Sequence, residues 1–99
     1  MFVLYDIAVI PVAHISPVSQ DIAAGGKAHI SCVSNTTGGV ITWYREDHSP
    51  LQSNTVVSAN GEVLAITNPT SSDSGQYGCN ITNSAGSDSA ISTLTVYRK

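Results

Sequence analysis

Along this chain apolar residues alternate with polar ones in short runs, and the three-to-four spacing of an amphipathic helix is hard to find. Turn residues break the runs at intervals of about eight to twelve positions, the spacing of an all-β sandwich or barrel. In "KAHISCVS" the alternation places Ala28, Ile30 and Cys32 on one face and Lys27, His29 and Ser31 on the other, the mark of a half-buried strand. "VITWYR" sets Ile41 and Trp43 against Thr42 and Tyr44, "VLAIT" turns Leu64 and Ile66 inward, and "QYGCNIT" does the same with Tyr77, Cys79 and Ile81. Between them "AAGG", "NTTGG", "NPTSSDSG" and "NSAG" read as turns or corners, and Asn60-Gly61 is a hairpin signal before the "VLAIT" run.

Three places disturb the pattern. Pro11 and Pro17 break the first strand, because proline donates no ladder hydrogen bond and belongs at edges. In the last strand Leu94 and Val96 point inward while Ile91 is out of phase with them, which predicts a β-bulge. The most charged run, "REDHSP" from Arg45 to Pro50, reads as a solvated loop.

Length and composition narrow the classes. A chain of 99 residues suits one domain. Charged residues make up only 11% and aromatics 6%, so Ser, Thr, Gly, Asn and Ala cover much of the surface, which favours strands and turns over surface helices. The net charge of −3 and four scattered basic residues leave no basic stripe to follow a phosphate backbone, which argues against nucleic acid as a partner. The opening "MFVLYDIAVIPV" lacks a basic start, carries Asp6 within its apolar part, and is too short to span a bilayer. Residues 1–10 are read as a linker or N-terminal extension and residues 11–97 as the domain.

Cys32 and Cys79 both fall on inward strand positions with Trp43 inward between them. Their 47-position separation is not a CxxC motif, and His14, His29 and His48 are too far apart in sequence to suggest a ligand cluster, so no metal or cofactor is expected. A disulfide across the core is the better reading, and closing so long a loop stabilises by roughly 4 kcal/mol in a chain-entropy treatment. No nucleophile elbow or phosphate-binding glycine loop is present, which argues against an enzyme.

Cys32, Trp43, the "LxI" pair Leu64 and Ile66, and "DSGQYGC" from Asp73 to Cys79 together resemble an immunoglobulin domain, over about residues 13–96. The resemblance implies a Greek-key sandwich of two antiparallel sheets, a Cys32–Cys79 bridge with Trp43 packed on it, and Tyr77 as a tyrosine corner. Gly75 would allow a close approach at that corner and Asp73 would hydrogen-bond its backbone. No arginine stands where many members of the family pair this aspartate. The 36 positions from Trp43 to Cys79 are too few for a variable-type C″ strand, and "NSAG" is similar to the intermediate, or I-set, type.

Candidate sites follow from these faces. Asn35 in "NTT" and Asn80 in "NIT" are N-glycosylation acceptors, whereas Asn68 in "NPT" is excluded by its proline. Thr42, Tyr44, Gln76, Gly78 and Thr82 are expected on a flat, uncharged outer face, with Asn80 among them, and tyrosine is a frequent binding anchor. The resemblance implies an extracellular module of a cell-surface receptor or adhesion protein, such as a receptor tyrosine kinase ectodomain. It would bind protein partners, itself included, sit in tandem with neighbouring domains, and meet a membrane only through the full-length protein. The alternative is a spacer module of an intracellular muscle-type scaffold, against which paired inward cysteines and two sequons weigh.

Overall fold

The computed structural model describes residues 9–36 and 38–98. Among these described residues eight strands form two four-stranded sheets: β1 (Ala13–Ser16), β2 (Ser19–Ala23), β3 (Lys27–Ser34), β4 (Val40–Arg45), β5 (Thr55–Val57), β6 (Val63–Thr67), β7 (Gly75–Asn83) and β8 (Gly86–Tyr97), with one 3-10 turn at Ser71–Asp73. The sheets are ordered β1-β3-β6-β5 and β2-β8-β7-β4. The links β3 to β4, β4 to β5 and β6 to β7 each cross between sheets, the Greek-key winding expected of the sequence. All pairs are antiparallel except β2 with β8, which runs parallel.

The sandwich closes because the alternation in both sheets is in phase. Ala28, Ile30, Cys32, Leu64 and Ile66 from one sheet meet Trp43, Tyr77, Cys79, Ile81, Leu94 and Val96 from the other, all buried. Burial of a full aliphatic side chain contributes about 1.5–3 kcal/mol, so this cluster is the main favourable contribution to the fold. The Cys32–Cys79 disulfide passes through its centre, joining β3 to β7 with both cysteines fully buried. Trp43 lies directly across the ladder from Cys79 and donates its indole N–H to the Gly61 carbonyl at 2.7 Å.

The interrupted first strand changes sheets. β1 pairs with β3 and β2 with β8, and the switch falls at Pro17. The Pro17 carbonyl accepts a 2.6 Å hydrogen bond from the hydroxyl of Ser92, an inward and fully buried residue of β8. That bond satisfies a polar group which would otherwise be costly to bury.

The expected bulge in β8 is absent. β7 and β8 pair without a break from Gly75↔Leu94 to Asn83↔Gly86. The inward phase is Ala90, Ser92, Leu94 and Val96, and Ile91 belongs to the outer face. The reading of residues 1–10 as linker or early strand lies outside the described residues for positions 1–8. The Val9 carbonyl accepts from Asn83 Nδ2, and the Ala13 N–H donates to Asp88 Oδ2, so the chain before β1 is tied to the β7–β8 hairpin.

Candidate recognition face

β7 carries the two groups of residues singled out in the sequence, one on each side. Inward, Tyr77 forms the corner: its hydroxyl donates to the Asp73 carbonyl at 2.7 Å with the ring buried. Asp73 fills the role expected of it, since its Oδ2 accepts from the Thr70 N–H at 2.9 Å and from Asn54 Nδ2 at 3.2 Å. Burial pushes the Tyr77 phenol above its usual value of about 10, as desolvation disfavours the phenolate.

Arg45 departs from its expected place. Its sequence context predicts the start of a solvated loop, but it ends β4 on the inward side and is buried, while residues 46–50 are exposed. Its guanidinium lies 5.0 Å from the Tyr77 ring centroid and donates from Nη1 to the Ser72 carbonyl at 3.2 Å and from Nη2 to the Ser74 carbonyl at 2.7 Å. A nearby carboxylate, Asp47, lies at 3.9 Å and is exposed. The arginine thus binds the corner through its carbonyls, and the Asp73 carboxylate is held by Thr70 and Asn54. Gly75, at φ +145°, passes so close that an added Cβ would stand 2.8 Å from Nη2. The expected close approach is real, and Arg45 makes it.

Outward, the ladder registers set four strands side by side. One row runs Val40, Thr82, Ser87; the next Thr42, Asn80, Ser89; the next Tyr44, Gly78, Ile91; and another Gln76, Thr93, Ser19. Thr42, Tyr44, Gln76, Gly78 and Thr82 are therefore brought onto one face, as expected; the strand residues of these rows are uncharged, and exposed Glu46 borders them opposite Gln76. Gly78 is buried because the Tyr44 phenol lies over it, and an added Cβ would overlap that ring. Tyr44 is accordingly half-buried, and Thr42, Gln76 and Thr82 are exposed.

Asn80 sits in the middle of this face, half-buried. Its Nδ2 donates to Thr82 Oγ1 at 2.8 Å and its Oδ1 accepts from Ser89 Oγ at 2.9 Å, so the carboxamide lies along the sheet. Asn35 is exposed beyond β3, where its Oδ1 accepts from the Val12 N–H at 2.9 Å. Val40 and, from the neighbouring strands, Ser19, Ser87, Ser89, Ile91 and Thr93 also lie on the face and are not identified by the sequence. For Ile91 the usable signal was its phase against Leu94, taken there for a bulge. Among the described residues no group of three or more His, Cys, Asp or Glu is placed to hold a metal ion.

Comparison with known proteins agrees with this geometry. Residues 11–96 match the family described as Immunoglobulin I-set domain. Among curated proteins, hemicentin-1 of Mus musculus is 32% identical over 83 residues, covering 74% of this chain and 2% of that protein. Leucine-rich repeat-containing protein 4B of Homo sapiens is 32% identical over 91 residues, covering 87% of this chain and 13% of that protein. The chain thus spans a small part of the length of these relatives. Among solved structures, "Drosophila OTK, extracellular domains 3-5" superimposes with a TM-score of 0.74 at 26% identity, over 88% of this chain and 30% of that one. With its disulfide, its tyrosine corner and the match over nearly its whole length, the chain belongs to the immunoglobulin I-set family.

Proposed function

We propose that this chain is an extracellular recognition module of a cell-surface receptor or adhesion protein, working by surface complementarity to a protein partner, with no chemistry of its own. The single observation that carries the reading is the outer face of β4, β7 and β8, whose strand residues are uncharged and which holds a tyrosine packed over a glycine. An aromatic already held against a glycine loses little side-chain freedom on binding, which favours it as an anchor. Thr42, Gln76 and Thr82 around it offer hydroxyl and amide groups for the rim. The bridged Cys32–Cys79 pair favours an oxidising compartment over the intracellular spacer, and the likeness to extracellular domains of OTK supports the same side.

Asn35 and Asn80 are the glycan acceptors of this reading, and they affect the face differently. A glycan on Asn35 leaves it clear, whereas one on Asn80 rises between Thr42, Thr82 and Ser89 and obstructs binding there, so recognition through this face requires Asn80 to carry no glycan. Secretion from a glycosylating host, followed by intact mass with and without glycosidase and reductant, tests the assignment. A bonded cysteine pair and a glycosidase-sensitive mass are expected. Free thiols with no glycan would return the chain to the spacer class.

A further inference from the structure

The end of the second sheet holds an open edge. β4 is its last strand, paired only with β7; the Gly61 turn lies beside Ile41 and accepts the Trp43 indole N–H without bonding the main chain of either residue. Glu46 N–H donates to the Gln76 carbonyl at 2.9 Å and continues the β4–β7 register, in which paired residue numbers sum to a constant. In an antiparallel ladder hydrogen-bonded pairs alternate with non-bonded ones, so Val40, Thr42 and Tyr44 direct their main chain at β7. Ile41, Trp43 and Arg45 direct theirs outward. The Arg45 carbonyl is taken by His48 N–H at 3.0 Å, while among the described residues the outward N–H and C=O of Ile41 and Trp43 meet no hydrogen-bond partner.

We propose that this edge is closed by the β4 of a second copy of the chain, through an antiparallel pair about a twofold axis at Thr42. The groups left unpaired choose this register. Ile41 of one copy exchanges two hydrogen bonds with Trp43 of the other, and the symmetric exchange adds two more, using each outward group of these residues once. Arg45 is not required, so its turn to His48 is kept. On the outer face Thr42 then meets its own symmetry mate, and the backbone position of each Tyr44 stands opposite the other copy's Val40 while its ring stays over Gly78. Threonine pairs are favourable cross-strand neighbours. The register also brings the other copy's strand beside Val40, an apolar side chain left 68% exposed in the single chain.

Charge agrees with self-pairing, since Val40, Thr42 and Tyr44 bring no like charges together. Of the devices that blunt edge strands, β4 has no proline, no lysine and no bulge, and its one inward charge, Arg45, lies outside the Ile41–Trp43 segment that pairs. The pair continues the sheet sideways rather than covering it, so both outer faces remain open, and a glycan on Asn80 is compatible with it. This inference rests on reading the chain as a protein-binding module, but its test needs no foreign partner and no glycan, so the two readings fail independently.

Sedimentation of the purified chain across a concentration series is expected to pass from one copy to two in the sub-millimolar range, as a small contact would give. Thr42→Lys sets two ammonium groups opposite each other on the axis and is expected to raise the dissociation constant about fivefold or more. Thr42 is exposed, and retained circular dichroism would establish that the variant folds. Thr42→Cys places two thiols across a non-bonded pair, where Cα atoms lie about 4.5 Å apart, within disulfide reach. Mild oxidation should therefore give a covalent dimer, while Val56→Cys on the edge of the other sheet should not. Exchange of the Ile41 and Trp43 amides should slow as concentration rises. A chain that stays single at millimolar concentration, a dimer untouched by Thr42→Lys, or cross-linking at Val56→Cys instead of Thr42→Cys would each overturn the proposal.

Discussion

Both sides of β7 carry polar groups, a few at one end of an apolar core and many on the outer face, and they do opposite things. On the inner side a tyrosine hydroxyl, an arginine and an aspartate are buried, and the groups that define the corner are tied to the main chain of one segment. On the outer side asparagine, threonine and serine bond mainly to one another along the surface. The difference lies in the cost of loss. A buried donor removed from a carbonyl leaves that carbonyl without water, whereas an exposed one is replaced by solvent at once. The inner side therefore specifies the fold, and the outer side is free to specify a partner.

The largest test of that division is the disulfide. Replacing Cys32 and Cys79 together by alanine should cost about 2–5 kcal/mol by urea denaturation, enough to unfold much of the population of a marginal domain. A loss of a few tenths would mean that the bridge merely decorates a core stable without it. Next is Arg45→Met, which keeps much of the side chain's bulk but leaves the Ser72 and Ser74 carbonyls without their donor. Loss of charged hydrogen bonds predicts about 1.5–3 kcal/mol. If the variant were as stable as the parent, Arg45 would be the surface residue its sequence context suggested.

Tyr77→Phe follows, with an expected loss of about 1 kcal/mol from the hydroxyl alone. It has a pH signature. Because the folded phenol holds its proton to higher pH than the unfolded one, the folded state binds more protons above pH of about 10, and stability must fall there as pH rises. The parent's stability should decline through this alkaline window, and Tyr77→Phe should decline less; parallel curves would count against burial of the phenol. The smallest effects belong to the outer side. Asn80→Gln and Thr82→Ala should each shift stability by no more than about 0.5 kcal/mol. A larger cost at either would break the division between the two faces.

The strands were legible because inward positions alternate with outward ones and most inward ones are apolar, as in "KAHISCVS" and "QYGCNIT". The corner was legible because its residues form one compact motif, and the bridge because Cys32 and Cys79, 47 positions apart, both fall on inward strand positions. What escaped has a common cause in contacts distant along the chain. Ser92 is buried because Pro17, 75 positions earlier, accepts its hydroxyl, and nothing near Ser92 announces that. With a serine and the small Ala90 on the inward side, Ile91 looked like the core residue and the phase was misread. Arg45 is the same error with a charge: its acceptors come 27 and 29 positions later, so locally it looked like the first residue of an acidic loop. The face was only partly legible, since naming Tyr44 and Thr42 requires one strand, but adding Ile91 and Ser89 requires the register of the next.

The parallel pairing of β2 with β8 has a mechanical consequence. Five successive residues, Ser19 to Ala23, run alongside Thr93 to Tyr97 in the same direction. Tension applied between the start of β2 and the end of β8 pulls the two strands past each other along their length. The rungs of the ladder then bear the load together instead of opening one after another, so this pair resists a pull along the strand direction far better than one that peels the strands apart.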